Sequence, residues 1–301
     1  MRLGVSTSCF GQVSLPEALR WAGECGFQSV EIAAPPLRIS SWFEHTALHV
    51  GGLDGAARDA FLSALDKFGL RAAAIGWRGN LLDPDLERRE AALAHLARMV
   101  EAAATLGIPI VTCQVGRDPA TTLGNSIAEF ARRVRPVADQ AAGSGVRLAV
   151  ENSPMVGRDV EDAPSSAAFA PELWEKLFTH LRSPAVGLAF SPGDHLWLGG
   201  DVLAAVTDYA EKIFHIHALD VELLDQRRQD CSILRPMGGW WRYRLPGLGS
   251  VDWRRLVDRL HELGYAGDLV VRHEDPVWQG SLEKVKTGLG LARRHLVQFL
   301  P

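Results

Sequence analysis

Short apolar runs alternate with longer amphipathic stretches along the whole chain. Runs at residues 3–6, 29–32, 71–75, 110–113, 147–150, 186–189, 213–217 and 269–271 read as eight strands. Their apolar character is continuous rather than alternating, which suits parallel strands covered on both faces. Between them, residues 56–68, 87–106, 126–142 and 282–297 repeat apolar positions at helical spacing. Ser14-Leu15-Pro16-Glu17 is a capping box with proline in the first turn; it opens a helix reaching about Glu24, and Gly26 stops it. Gly69, Gly107, Gly145 and Gly264 each stand just before a strand, where a glycine that ends a helix belongs.

Eight strand–helix units in 301 residues predict a single (β/α)8 TIM barrel domain spanning 1–301. A doubly wound open sheet would carry a glycine-rich phosphate loop after the first strand, and Thr7-Ser8-Cys9-Phe10-Gly11-Gln12 does not fit one. Two long loops, 33–54 and 220–249, follow the second and seventh strands. In a barrel both lie on the active-site face, so they are expected to shape the pocket.

Composition narrows the functional classes. The chain is 47% hydrophobic and 23% charged, which is globular, and its net charge of -4 gives no basic face for nucleic acid. No apolar run approaches the roughly 18 residues of a membrane span. The N-terminus reads directly as a strand, without a signal-peptide layout. Cys9, Cys25, Cys113 and Cys231 are scattered, without C-x-x-C spacing, and read as free thiols of a reducing compartment. The expectation is a cytoplasmic protein with a small-molecule, sugar-like substrate, no nucleic-acid or membrane partner, and homo-oligomerisation left open.

Barrel enzymes place their chemistry at the C-terminal ends of strands. Four such ends carry charge: Glu151-Asn152, Ser191-Pro192-Gly193-Asp194-His195, His215-Ile216-His217, and Arg272-His273-Glu274-Asp275. Charge directly after an apolar strand is costly unless it faces a polar pocket. Glu151, His217, Arg272 and Glu274 are therefore the catalytic candidates. Asp194 and His195 are substrate-binding candidates, although they could equally cap the next helix. His215 shares the face of His217 but lies deeper and reads as core packing. Trp240, Trp241 and Arg242 open the aromatic and arginine-rich segment 240–249, which reads as a sugar-facing wall or a subunit contact.

These strand ends resemble the xylose isomerase-like barrel superfamily, in particular its sugar phosphate isomerase/epimerase type. The resemblance spans nearly the whole chain and rests on Val150-Glu151-Asn152-Ser153-Pro154-Met155, on segment 240–249 with Val251-Asp252-Trp253, and on His273-Glu274-Asp275-Pro276-Val277-Trp278. It implies one divalent cation (Mn, Mg, Co or Zn) held by Glu, Asp, His and Glu at the ends of strands five to eight, with the glutamates moving protons through an enediolate. Glu151 matches the first glutamate and His217 the histidine. The aspartate position holds Ser191 and the second glutamate position Arg272, so the implied metal set is incomplete. The position of a substrate-contacting histidine holds Asp194, a third-strand histidine falls on Arg78, with Asn80 beside it, and a lysine near the seventh strand falls on Leu219.

A permanent guanidinium at Arg272 would repel a cation bound there. The expectation is that Arg272 pairs with Glu151 and takes the cation's electrostatic place, leaving metal dependence weak or absent. A site relocated to Asp194 and Glu274 is the alternative. Three functions follow: a sugar or cyclitol isomerase or epimerase; a lyase acting on an oxo-sugar or inosose, as in relatives of the inosose dehydratase and oxo-glycoside eliminase kind; or a non-catalytic sugar-binding or partner subunit. A metal-dependent abasic-site endonuclease shares the fold, but neither its zinc-ligand cluster nor its basic groove is evident.

Overall fold

Each run of apolar residues forms a barrel strand in the computed structural model, which describes residues 1–11, 13–36, 47–154, 165–231 and 238–300. The strands are β1 (Leu3–Ser6), β2 (Ser29–Ala33), β3 (Arg71–Gly76), β4 (Ile110–Cys113), β5 (Arg147–Glu151), β6 (Val186–Phe190) and β7 (Ile213–Ala218). An antiparallel hairpin of β8 (Asp220–Leu223) and β9 (Trp241–Arg244) follows, and β10 (Leu269–Val271) is the eighth barrel strand. The barrel closes in the order β1-β10-β7-β6-β5-β4-β3-β2, with every neighbouring pair parallel. A closed sheet has no unpaired edge, and the crossovers between its parallel strands put helices over its outer face.

The helices follow their local signals. Ser14 accepts a hydrogen bond from the Glu17 amide and caps α1 (Leu15–Cys25), which Gly26 ends at φ 89°. Asp54 caps α2 (Gly55–Lys67), and Asp85 caps α3 (Leu86–Leu106). Thr122 caps α4 (Leu123–Gly143), and Ser281 caps the final helix, Leu282–Val297. Gly69, Gly107, Gly145 and Gly264 all have φ between 63° and 72°, the left-handed region where glycine carries no steric penalty. Helices at Pro171–His180, Val202–Asp208 and Trp253–Glu262 complete the outer layer and are not in the sequence reading.

Alternation along the strands divides the core. Val5, Val30, Ile32, Val111, Val150, Phe190, Ile216 and Val271 join the main apolar cluster shared with the helices. A smaller cluster of Ala74, Ile110, Ala149, Ala189 and Phe214 fills the lower lumen. Phe214 fits because residue 187 is glycine: a Cβ there would stand 2.7 Å from the Phe214 ring. The same alternation, shifted by one residue in β7 where its pairing with β6 skips Phe214, turns Ser6, Glu31, Thr112, Glu151, Ser191, His217 and Arg272, all buried, into the upper lumen. A polar layer thus caps an apolar floor at the C-terminal ends of the strands.

The segment 220–249, read as a loop, contains the β8–β9 hairpin instead. Its residues 232–237, together with 37–46 of the loop after β2, lie outside the described residues, as does Met155. Asp220 holds the hairpin base: its carboxylate accepts from the amides of Val221 (2.8 Å), Val251 (3.0 Å) and Gly247 (3.1 Å) and from Trp253 Nε1 (2.7 Å). Asp275 accepts from Arg244 Nε at 2.8 Å and the Leu245 amide at 3.1 Å, tying the hairpin to the strand-eight loop.

Candidate active site

Glu151 ends β5 and lies in the upper lumen, where desolvation alone would cost an isolated carboxylate several kcal/mol. Two guanidinia compensate. Arg78 Nε donates to Glu151 Oε2 at 2.9 Å and Arg272 Nη1 to the same oxygen at 3.0 Å, while Gln114 Nε2 lies at 3.5 Å. Burial pushes the Glu151 carboxyl up, but the two arginines outweigh it and hold its pKa at about 2. Arg78 also donates through Nη1 to Glu274 Oε1 at 2.7 Å, and Arg272 Nη2 lies 3.7 Å from that oxygen. Glu274 is likewise pushed up by burial and pulled below the ordinary carboxylate range by Arg78 and Arg272. The four side chains form a ring of two cations and two anions. Arg272 is 7% exposed and points inward.

The ring continues through His217. Arg272 Nη1 lies 3.4 Å from His217 Nδ1, and His217 Nε2 lies 2.7 Å from Glu31 Oε2. A guanidinium only donates, so Nδ1 is the acceptor and the ring proton sits on Nε2, donated to Glu31. Burial holds His217 below its ordinary pKa, in the neutral form. His215 Nε2 lies 2.9 Å from the same Glu31 oxygen but out of line for a hydrogen bond, and His215 Nδ1 has no partner. Ser6 Oγ donates to the other Glu31 oxygen at 3.4 Å.

One oxygen of Glu31 and one nitrogen each of His215 and His217 all lie within 4.8 Å of one another. A carboxylate and two imidazoles are a donor set that suits a divalent transition metal, and the unaligned His215 Nε2 is a buried donor without another task. The set fits a single divalent cation. It differs from the expected positions: His217 belongs to it, whereas Glu151 Oε2 is filled by guanidinium and amide donors. Asp194 and Glu274, the relocated alternative, are not part of it.

The remaining candidates divide by environment. Asp194 is fully buried and accepts from Tyr243 Oη at 2.5 Å; burial raises its carboxyl above the usual range. The His195 ring packs between Trp174 (5.5 Å) and Phe190 (5.6 Å), within the apolar layer rather than with the charged ring. Asn80 spends its amide on backbone: Oδ1 accepts from the amides of Leu82 and Arg117, and Nδ2 donates to Arg117 O, all at 2.9 Å. It thereby splices the loop carrying Arg78 to the loop after β4. Trp241 is fully buried and stacks on Trp197 at 4.1 Å, Trp240 carries Arg228 over its ring at 4.4 Å, and Arg242 pairs with Glu222. The structure thus places Trp240 and Trp241 in the hairpin's own apolar cluster with Leu219, Val221 and Tyr243; Trp241 and Tyr243, alternate residues of β9, are both buried, with Arg242 and Arg244 between and after them less so.

Sequence reasoning missed Glu31 and assigned His215 to packing. The signal for Glu31 was present: a lone carboxylate in the middle of Ser29-Val30-Glu31-Ile32-Ala33, an otherwise uncharged buried strand. Tyr243 and Gln114 offered no local signal, since their role depends on partners 49 and 37 residues away.

Residues 19–295 match the family model described as xylose isomerase-like TIM barrel. The chain belongs to this family. It is 27% identical over 258 residues to the rhizopine catabolism protein MocC of Rhizobium meliloti, covering 81% of this chain and 75% of that one. An inosose dehydratase of Lactiplantibacillus plantarum is 24% identical over 127 residues, 41% of this chain and 42% of that protein. Among solved structures, the zinc-bound IOLI protein superposes with a TM-score of 0.73 at 17% identity, covering 100% and 99% of the two chains. The 3-keto-D-glucoside 4-epimerase YcjR of E. coli superposes with a TM-score of 0.68 at 18% identity, covering 98% and 99%. The proteins it is similar to thus include an inosose dehydratase in sequence and, in fold alone, a 3-keto-D-glucoside 4-epimerase. No helix among the described residues is long and apolar enough to cross a membrane.

Proposed function

We propose that this protein is a sugar or cyclitol isomerase or epimerase that moves a proton on a carbon beside a carbonyl, with Glu151 as the proton carrier and Arg272 as the fixed positive group for the developing oxyanion. One observation carries the reading: a buried guanidinium lies 3.0 Å from the buried carboxylate at the end of β5, within the polar layer of the upper lumen. In the ligand-free arrangement Glu151 is a weak base, because two arginines stabilise its charge. A substrate carbonyl oxygen that takes over the Arg272 Nη1 donor removes one of them. The proton affinity of Glu151 then rises as the neighbouring C–H comes within reach. Arg272 stabilises the enediolate oxygen, acting in a site from which water is largely excluded. In an epimerisation the opposite face needs a proton donor; Glu274, a third exposed and held ionised by Arg78, would fill that role only after taking a proton from solvent as substrate draws Arg78 away.

Glu31, His215 and His217 are the residues that would hold a divalent cation, and a bound cation would supply a Lewis acid toward a substrate oxygen. His217 would first have to give up its Nε2 proton, and Arg272 faces its Nδ1, where a metal-bound imidazole ordinarily finds an acceptor. Arg272 therefore favours weak metal dependence. A lyase is the second reading, favoured by the replacement of the second family glutamate by Arg272: elimination needs one base and one oxyanion stabiliser, and both are present.

Proton exchange of ketoses and oxo-cyclitols in heavy water tests the reading. Exchange is expected in the parent, to persist after dialysis against chelator, and to fall about a hundred- to ten-thousand-fold in Glu151→Gln. A conjugated-carbonyl absorbance would select the lyase. Exchange abolished by chelator and restored by Mn or Zn would transfer the oxyanion role to the cation. Stabilisation by ligand without exchange or turnover would leave a binding protein and sink the enzymatic reading.

A further inference from the structure

The opposite mouth of the barrel holds a second cavity that the reading above does not use. It has about 420 Å³ of accessible space, within the range of small-ligand sites. It is lined by strand-start residues, among them Arg71, Arg147, Phe214 and His215, and by Tyr265 and Asp268 from the approach to β10. Its charges are unevenly settled. Arg71 is paired with Asp268 at 3.1 Å. The Arg147 guanidinium lies over the Phe214 ring at 4.7 Å and has no carboxylate partner among the described residues. The other acid in the wall, Glu211, is solvent-exposed. Phe214 and Tyr265 supply apolar surface beside the two guanidinia. His215, whose Nδ1 is buried without a hydrogen-bond partner, also contributes to the wall.

We propose that this lower cavity binds a small organic oxyanion, a carboxylate or phosphate, with its charge held by Arg147 and Arg71 and its body against Phe214 and Tyr265. A planar guanidinium already seated over an aromatic ring offers its N–H groups to an oxyanion with less reordering of a flexible side chain. His215 gives the site a path to the upper layer, since its Nε2 lies 2.9 Å from Glu31. A ligand below therefore adjoins a side chain that lies against Glu31 of the upper layer.

Titration calorimetry of the full chain with inorganic phosphate and, separately, with benzoate, at constant ionic strength, tests this site. Saturable millimolar binding of at least one probe is expected, and which one saturates separates phosphate from carboxylate recognition. Binding should persist in Arg78→Gln, which disables the upper ring, weaken about tenfold or more in Arg147→Gln, and recover in part in Arg147→Lys. Arg147 is exposed at the first position of β5, and circular dichroism of all three variants selects those that keep the fold for comparison. Binding unchanged in a folded Arg147→Gln, binding lost in Arg78→Gln, or saturation by neither probe would overturn the proposal. None of these outcomes depends on turnover, so the lower site and the upper reading fail separately.

Discussion

Arg272 decides the character of the upper site. A glutamate or aspartate there would add negative charge to a layer already holding Glu31 and Glu151, and a cation would be needed to settle it. Arginine settles it from within, through Glu151, His217 and Glu274. The Glu151 pKa of about 2 lies below its unfolded value, so this group contributes stability that is present above the ordinary carboxylate range and lost as pH falls toward 2. Arg272→Met removes one of the two cations and raises the folded pKa. The expected cost is about 3 kcal/mol at neutral pH, with acid unfolding beginning at a higher pH than in the parent. Urea unfolding followed from neutral pH to about pH 3 measures both, and superimposable curves for parent and variant would show that the pair carries no net stabilisation.

At the level of elements, the loops after β3 and β4 act as one piece. Asn80 joins them, and Gly116 makes room for the joint: its φ is 76°, and a Cβ there would stand 1.9 Å from Asn80 Oδ1. Asn80→Ala should leave the Leu82 and Arg117 amides without their acceptor, costing about 1–3 kcal/mol. It should also loosen Arg78 and lower kcat more than it raises KM. Thermal unfolding with steady-state kinetics on any substrate found by exchange checks this, and an unchanged kcat would place Asn80 outside the positioning of Arg78. The β8–β9 hairpin is a second such piece. Asp220 and Asp275 anchor it, and it delivers Tyr243 to Asp194.

Across the whole molecule, barrel closure creates two unlike chambers on one axis, a charged one above and an arginine-lined one below, separated by Ala74, Ala149, Ala189 and Phe214. The partition rests on Gly187. Gly187→Val should collide with Phe214 and with the Lys212 carbonyl, 2.3 Å from the added Cβ. The expected loss is about 1–3 kcal/mol, read from chemical denaturation. An undiminished midpoint would mean that the lumen repacks freely.

Much of this was legible along the chain. Eight apolar runs, their capping residues and the left-handed glycines are local signals encoded within a few neighbours, and they determine the barrel. The strand ends pointed to Glu151, His217, Arg272 and Glu274 by the same logic, because charge after an apolar strand must face a polar space. What the amino-acid order alone did not settle is which groups meet. Glu31 and His217 stand 186 residues apart, and Arg272 and Glu151 121, yet each pair is in contact. Asn80, His195 and Trp241 read alike as ligand-facing along the chain; in the structure their contacts are backbone groups, the rings of Trp174 and Phe190, and the ring of Trp197 respectively. Periodicity tells a side chain which face it lies on, whereas only closure of the barrel brings distant faces to one axis and sets the charge that each group must answer.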